Sequence, residues 1–495
     1  MRLEKLLAYA DIVEYGGDMS AEITEVTYDS RKIKPGALFA AIPGFKTDGH
    51  LFIEDALKRG ASAIVIEDPA YKSDAYPWLL VTNSRAALGD LAAAVYDFPA
   101  NKLNIVGVTG TNGKTTTTNL IQLVLDAECH QTGLIGTIHN RIGQEILPVE
   151  HTTPEAPDLQ KLFLAFLEKG ADYAVMEVSS HALDLQRTRG TEYDVAVFTN
   201  LTQDHLDFHK DMENYLAAKG KLFASLGVKS NKKRRKFAII NIDDPYGERI
   251  IEMTSAAVIT YGVKKEADVR AEDVVITGGG ASFTLKYTDK TLPVRLKMTG
   301  IFNVYNALAA TAAGLVEGVP VEKIIATLES IPGIPGRFEK VDDNQNFTII
   351  VDYSHTPDSL ENCLKTARQF AKARIITVFG CGGDRDRTKR PLMGEVAGRL
   401  SDIIVVTSDN PRTEEPLAVI DDIIPGLART AGSKEYKVIP DRRTAIHTAV
   451  KMAQPDDIVI IAGKGHETYQ IIGQDVFPFD DRMVAKEALR SKLSF

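Results

Sequence analysis

Cysteine and tryptophan are scarce in this 495-residue chain, which has 3 Cys and 1 Trp. The cysteines, Cys129, Cys363 and Cys381, are odd in number and form no CxxC pair. That excludes a disulfide framework and a cysteine-based zinc site, and it is the usage of a reducing compartment. Long apolar runs are missing as well, since a stretch such as Ile458 to Ala462 is far too short to cross a bilayer. Met1-Arg2-Leu3-Glu4-Lys5 does not have the pattern of a signal peptide, so the expectation is a cytoplasmic protein without stable membrane insertion. Positive charge is not in excess, and a formal net charge of −9 argues against a general nucleic-acid partner. The one basic run, Lys232-Lys233-Arg234-Arg235-Lys236, has no interleaved aromatic residues and reads as a solvated turn ahead of a strand.

What is present is a globular composition, 44% hydrophobic and 25% charged, which excludes disordered and fibrous classes. The length predicts roughly three domains at ~100–200 residues each. Short β-branched runs alternate with amphipathic stretches, the pattern of α/β units with parallel strands. Strands are expected at 37–42, 63–66, 104–108, 173–177, 195–199, 238–241, 347–351, 375–379, 403–407 and 458–462, and helices at 50–59 and 84–96. Phe98-Pro99-Ala100 reads as a linker, and Ile331-Pro332-Gly333-Ile334-Pro335-Gly336 as a boundary. Alternating residues after Gly278-Gly279-Gly280 predict an appended antiparallel hairpin. The expected organisation is α/β throughout: 1–100, 101–335 and 336–495.

Ile105-Val106-Gly107-Val108-Thr109-Gly110-Thr111-Asn112-Gly113-Lys114-Thr115-Thr116 is a strand, a glycine-bearing turn and a helix start. Glycines let backbone N–H groups curl around phosphate oxygens, and the helix N-terminus adds partial positive charge. Lys114 can reach β/γ-phosphates and the Thr115 hydroxyl can ligate Mg²⁺. Val108 stands where the strict GxxxxGK[ST] pattern has Gly. No Asn-Lys-x-Asp guanine reader occurs, so the loop favours ATP.

Thr109 to Thr116 has the form of the phosphate loop in Mur ligases and folylpolyglutamate synthetases. Further segments resemble the Mur ligases in matching order. They are Tyr28-Asp29-Ser30-Arg31, His151-Thr152-Thr153-Pro154, Met176-Glu177-Val178-Ser179-Ser180-His181 and Thr199-Asn200-Leu201-Thr202-Gln203-Asp204-His205, then Tyr215-Leu216-Ala217-Ala218-Lys219, Pro335-Gly336-Arg337-Phe338-Glu339, Asp352-Tyr353-Ser354-His355-Thr356-Pro357 and Asp409-Asn410-Pro411-Arg412. The resemblance covers the whole chain. It implies a UDP-sugar-binding domain, a central ATPase domain and a Rossmann-like amino-acid-binding domain. It also implies a role in peptidoglycan precursor synthesis, and through it in cell-wall biogenesis, cell shape and cell division.

The same resemblance assigns residues. Gly110, Thr111, Asn112, Gly113, Lys114, Thr115, Thr116, Asn303, Arg337 and Asp352 would surround ATP. Thr115, Glu177, His205 and Lys219, the last as N6-carboxylysine, would hold Mg²⁺. Lys114, Lys219, Glu177 and His205 form the expected catalytic set. Ser30, Lys46, Thr47, Thr152, Thr153, Ser179 and Arg187 match contacts to UDP-N-acetylmuramoyl-L-alanyl-D-glutamate, with departures from relatives at His151 and Leu185. Arg385, Asp409, Asn410, Pro411, Arg412, Gly463 and Glu467 match contacts to meso-diaminopimelate. A guanidinium can grip the second carboxylate that lysine lacks, so Arg412 favours the diamino diacid. Read alone, Glu177 could equally be a salt-bridged strand end, Arg337 a structural ion pair, Lys219 a surface lysine and Arg385 a solvated loop charge. The expected activity is amide formation through an acyl phosphate by a monomer. The same reaction with L-lysine, folate-dependent glutamate addition, and a nucleotide-gated binding protein remain open from sequence.

Overall fold

The computed structural model describes residues 1–44, 47–227, 232–342 and 345–493. Two compact units divide the chain. The first comprises Met1–Leu201, His205–Tyr261 and Ala309–Lys323; the second comprises Thr202–Asp204, Gly262–Leu308 and Ile324–Phe495.

The first unit carries two sheets. The smaller orders its strands Ile12–Gly16, Trp78–Val81, Ala61–Ile66, Ala37–Ala40 and Glu25–Thr27, parallel except for the antiparallel edge strand Ile12–Gly16. Ala37–Ala40 is buried throughout, which is why it reads as an unbroken apolar run. The helix Ser84–Val95 is capped by Asn83, whose side chain accepts from the Ala86 N–H.

Phe98-Pro99-Ala100 is not a linker. Phe98 adopts a left-handed φ of 49° and donates its N–H to the Ala93 carbonyl at 2.7 Å. Pro99–Lys102 then forms a 3₁₀ turn, and Ala100 is fully buried beside Ile105 and Phe163 in the core of the second sheet. Proline here sets a tight turn rather than a loose one.

In the second sheet, Asn104–Thr109 lies between Tyr173–Glu177 and Val195–Phe198, parallel to both. Phe237–Asn241 and Ala257–Gly262 continue it beyond Val195–Phe198, and Thr132–Ile135 pairs with the far side of Tyr173–Glu177. Strand order therefore reverses at Asn104–Thr109, and ligands bind outside the carboxyl ends of strands at such a reversal.

The basic run is not a solvated turn. Its side chains alternate, so that Lys232, Arg234 and Lys236 turn inward and Lys233 and Arg235 outward. Lys232 Nζ reaches Asp194 Oδ2 at 2.7 Å, Arg234 pairs with Glu317 at 2.6 Å, and Lys236 with Glu192 at 3.0 Å. A period of two is the extended-chain period, and carboxylates distant in sequence supply the reason for the charge.

The second unit contains an antiparallel meander, Val269–Thr277, Gly280–Tyr287 and Lys290–Leu296, one strand more than the hairpin expected. Its main sheet orders Glu339–Val341, Thr348–Asp352, Ile458–Ala462, Ile375–Phe379, Ile403–Val406 and Glu435–Val438. Only the first pair is antiparallel. Ile350, Phe379, Ile404 and Ile460 face one core; Ile349, Val378, Val405 and Val459 face the other. Insertion of Ile458–Ala462 between two earlier strands creates a second reversal, again with polar residues at the carboxyl ends.

Candidate active site

In the first unit the phosphate loop leaves the end of Asn104–Thr109 and enters the helix Lys114–Ala127. Gly110 takes φ 151° and Gly113 φ 87°. Residues after the neighbouring strand clamp the loop. Thr199 Oγ1 donates to the Asn112 carbonyl at 2.7 Å, Asn200 Nδ2 donates to the same oxygen at 3.0 Å, and the Asn112 N–H donates to Asn200 Oδ1 at 2.9 Å. Sequence reasoning did not assign this clamp, although Thr199 and Asn200 end a buried strand beside the loop. Lys114 Nζ donates to the carbonyls of Gly110 and Thr111 at 2.9 and 2.8 Å, folded over the loop it belongs to.

Glu177 ends its strand 1% exposed. Its Oε2 accepts from Thr115 Oγ1 at 3.0 Å and Thr137 Oγ1 at 3.1 Å, and its Oε1 accepts from the Thr137 N–H at 2.8 Å. The carboxylate is thus held by hydroxyls and an amide, so the salt-bridge reading falls away. Thr137 had no sequence signal.

Lys219 is not a surface lysine. It is 1% exposed, donates to the Gly110 carbonyl at 2.9 Å and lies 4.5 Å from the Tyr215 ring centroid. Tyr215, one helical turn earlier on Met212–Ser225, shares a 3.2 Å hydrogen bond with Thr111 Oγ1. His205 packs edge-on against His181, with ring centroids 4.8 Å apart, and lies 6.2 Å from Tyr215.

The acceptor candidates adjoin Glu177. Thr152 Oγ1 shares a hydrogen bond with Thr137 Oγ1 at 3.1 Å, and Thr153 Oγ1 donates to the Glu177 carbonyl at 2.9 Å. The Ser179 N–H donates to Thr153 Oγ1 at 3.0 Å, and Arg187 Nε pairs with Glu155 at 2.9 Å. Ser30 is buried in the 3₁₀ turn Ser30–Lys32, whose Lys32 pairs with Glu150 at 2.8 Å, close in sequence to Thr152. Thr47 is exposed, and Lys46 lies outside the described residues.

In the second unit Asn303 is 3% exposed and donates to the Thr299 carbonyl at 2.9 Å. Arg337 lies over the Tyr353 ring at 4.7 Å. Asp352 accepts from the Phe338 N–H at 2.7 Å and from Ser354 Oγ; burial raises its carboxyl above the usual range, partly offset by Ser354 and Arg337.

The remaining candidates gather at strand ends. Asn410 Nδ2 donates to Glu467 Oε2 at 2.9 Å, and Asn410 Oδ1 accepts from Lys464 Nζ at 2.8 Å and from the Ile471 N–H at 3.0 Å. A Cβ on Gly463, whose φ is 120°, would fall 2.4 Å from Asp409 Oδ2, so this close approach requires glycine. Burial raises the Glu467 carboxyl, with Lys464 acting in the opposite direction. Pro411 donates no backbone N–H, and the next residue, Arg412, adopts φ 53° and sends Nη1 to the Gly383 carbonyl at 2.8 Å. Arg385 is exposed, and a Cβ added to Gly382 would lie 3.0 Å from Arg412 Nη1 and 3.8 Å from Arg385 Cγ. Lys464, 0% exposed, lies next to Gly463 in the sequence but was not assigned from it.

Three family descriptions match in succession: Mur ligase family, catalytic domain, over 22–96; Mur ligase middle domain over 108–314; and Mur ligase, glutamate ligase domain, over 336–465. The UDP-N-acetylmuramoyl-L-alanyl-D-glutamate–2,6-diaminopimelate ligase of Bacillus cereus is 53% identical over 473 residues, covering 96% of this chain and 95% of the relative. That of Geobacillus thermodenitrificans is 50% identical over 494 residues, covering 99% and 100%. A solved structure of a ligase of that name superposes with TM-score 0.71 at 32% identity, covering 100% of this chain and 99% of the other. MurF ligase from Thermotoga maritima in complex with ADP shares the fold at TM-score 0.62 and 21% identity, covering 95% and 98%. With half its residues matching such relatives over nearly its full length, the chain belongs to the Mur ligase family.

Proposed function

We propose that this protein is an ATP-dependent ligase that joins meso-diaminopimelate to UDP-N-acetylmuramoyl-L-alanyl-D-glutamate. The observation that carries the reading is the cluster at Asp409 to Arg412. The carboxylates of buried Asp409 and half-buried Glu467 gather around the Lys464 ammonium, and the guanidinium of Arg412 is held at the Gly383 carbonyl. A diamino diacid presents ammonium and carboxylate groups at both ends, and this set complements one of each. The three segments 1–100, 101–335 and 336–495 would serve acceptor, nucleotide and amino acid in turn.

A γ-carboxylate oxygen of the D-Glu residue attacks the γ-phosphorus of ATP, and ADP leaves. The diaminopimelate amine then attacks the acyl phosphate carbonyl, loses a proton, and inorganic phosphate leaves. The first step needs positioning and charge neutralisation rather than a protein nucleophile. Loop N–H groups from Gly110 to Thr116 would cradle the phosphates, with Lys114 moving from its loop carbonyls to the β/γ oxygens. Asn303, Arg337 and Asp352 would complete the nucleotide contacts. Thr152, Thr153, Ser179 and Arg187 would orient the dipeptide, and Ser30, Lys46 and Thr47 the uridine end.

The Thr115 hydroxyl and Glu177 carboxylate, 3.0 Å apart, are hard oxygen donors that fit Mg²⁺. Bound there, Mg²⁺ would supply neutralisation of phosphate charge. The cationic amine of Lys219 does not fit a metal, whereas its carbamate would; the ammonium first gives up one proton, and the neutral amine then forms the N–C bond with CO₂ and releases a second. His205 would complete that second donor set.

The test is phosphate release by purified protein with ATP and the UDP-muramoyl-dipeptide across a panel of amino acids. The expected result is release that requires diaminopimelate, with L-lysine poor. Release independent of any amino acid, or preference for lysine, would overturn the assignment.

A further inference from the structure

Among the described residues of the second unit, Lys464 is a fully buried lysine whose ammonium meets Asn410, Asp409 and Glu467 of the amino-acid cluster. Its ammonium donates to Asn410 Oδ1 at 2.8 Å and Glu467 Oε2 at 3.1 Å, lies 3.8 Å from Asp409 Oδ1, and sits 5.6 Å from the Tyr469 ring centroid. A buried cation persists only where it is paired, so this geometry is specific to the cluster.

We propose that Lys464 is a positioning residue for the incoming amino acid, acting through Asn410 and the Asp409–Glu467 pair. The proposal rests on the reading of that cluster as the diaminopimelate site. Two consequences of the geometry carry it.

The first is orientation. An amide side chain can sit either way round. Lys464 and the Ile471 N–H both donate to the Asn410 oxygen, which forces Nδ2 toward Glu467. Without the ammonium, one of the two donors that hold Asn410 is lost, and Glu467 loses a second partner.

The second is charge. Arg442 and Asp481 pair at 2.7 Å with both side chains fully buried and cancel each other. Among the remaining charges in direct contact, that leaves the carboxylates of Asp409 and Glu467 against the one ammonium of Lys464, a net charge of −1, with the Arg412 guanidinium engaged separately at the Gly383 carbonyl. A single ammonium of an amino acid neutralises that remainder. With Lys464 removed, the two carboxylates lose the ammonium that lies against both, the nearby Arg442 being held by Asp481, and the cluster takes up a proton or distorts instead of accepting the substrate ammonium.

The experiment compares steady-state kinetics of the full-length wild type, Lys464→Met and Lys464→Gln, with melting curves for each. Met removes both charge and donor at similar length; Gln keeps a donor and removes the charge. The expected result is a KM for diaminopimelate raised at least about tenfold in Lys464→Met, the scale of one lost charge-assisted contact, and raised less in Lys464→Gln. KM for ATP and for the UDP-muramoyl-dipeptide should stay within about twofold, and kcat should change less than KM for the amino acid. An unchanged KM for diaminopimelate, or a parallel rise in all three KM values, would overturn the proposal. Loss of the folded state in both variants would assign Lys464 to stability alone and overturn it too. If the wild type itself does not use diaminopimelate, the functional reading has failed, a result separate from any effect of the variants.

Discussion

A Cβ added to Gly110 would lie 1.8 Å from Thr199 Oγ1, the hydroxyl that holds the Asn112 carbonyl at 2.7 Å. The phosphate loop is therefore closed against the next strand by one glycine and one threonine. Gly110→Ala meets that contact and also a φ of 151°, which side-chain-bearing residues rarely adopt. We expect kcat/KM for ATP to fall about 100-fold or more, the cost of misplacing phosphate-binding N–H groups. Gly110→Ala combined with Thr199→Ala removes the clash but not the strained φ, so it should recover part of the loss. No recovery in the double variant would show that contact with Thr199 does not set the loop.

Arg412 supplies the second prediction. Its left-handed backbone, held where the Gly473 N–H donates to the Arg412 carbonyl at 2.7 Å, fixes the root of the side chain, and the Nη1 bond to the Gly383 carbonyl holds its tip. Arg412→Ala should lower kcat/KM for diaminopimelate about 10- to 100-fold, the range for a charge-assisted hydrogen-bonded carboxylate. Turnover with L-lysine, which lacks that carboxylate, should change little. Equal losses with both amino acids would remove Arg412 from discrimination.

The strand–loop–helix at Asn104 to Thr116 was legible because phosphate binding demands a fixed local order of residues, and the main parallel strands were legible because burial on both faces leaves unbroken apolar runs. Tyr173–Glu177, Ile375–Phe379 and Ile458–Ala462 fall where their runs predict. What failed was chemistry between distant segments. Thr137 and the Asn200 clamp act on Glu177 and the loop through folding alone, and neither has a local signature. Lys219 reads as a surface lysine until Gly110 and Tyr215 are seen around it. The basic run misled for the same reason, because Asp194 and Glu317 are far along the chain.

That run gives a stability prediction. Lys232 is 7% exposed in its side chain and Asp194 0%, with Asp194 also accepting from the Ile105 N–H at 2.7 Å. Lys232→Met leaves a buried carboxylate short of its cation, at a cost of ~3 kcal/mol or somewhat more. Arg234, 3.8 Å from the other Asp194 oxygen, keeps the loss toward the lower end of that range. The pair lies at the amino ends of Asn104–Thr109 and Val195–Phe198, opposite the phosphate loop, so kcat of the folded enzyme should be unchanged. Denaturant titration and kcat on the same preparation check both halves. A lowered kcat with unchanged stability would mean the network serves catalysis.

The second unit carries a pH-sensitive ion pair. Fully buried Arg390 grips both oxygens of Glu414, Nη1 to Oε2 at 2.9 Å and Nη2 to Oε1 at 2.7 Å, and it also reaches Asp422 at 2.8 Å. The Arg390 hydrogen bonds lower the Glu414 carboxyl from 4.5 to about 2, with the Asp384 N–H adding in the same direction. The folded state therefore prefers the ionised carboxyl more than the unfolded chain does. Its contribution to stability is fully present above the unfolded value of 4.5 and is lost as pH falls from there through about 2. Glu414→Gln has no such proton to bind. The gap in denaturant midpoint between wild type and Glu414→Gln should thus be constant above about pH 5 and narrow steadily below pH 4.5. A gap of the same size at pH 3 and pH 7 would show that the Arg390–Glu414 pair contributes nothing to acid sensitivity, whatever its geometry.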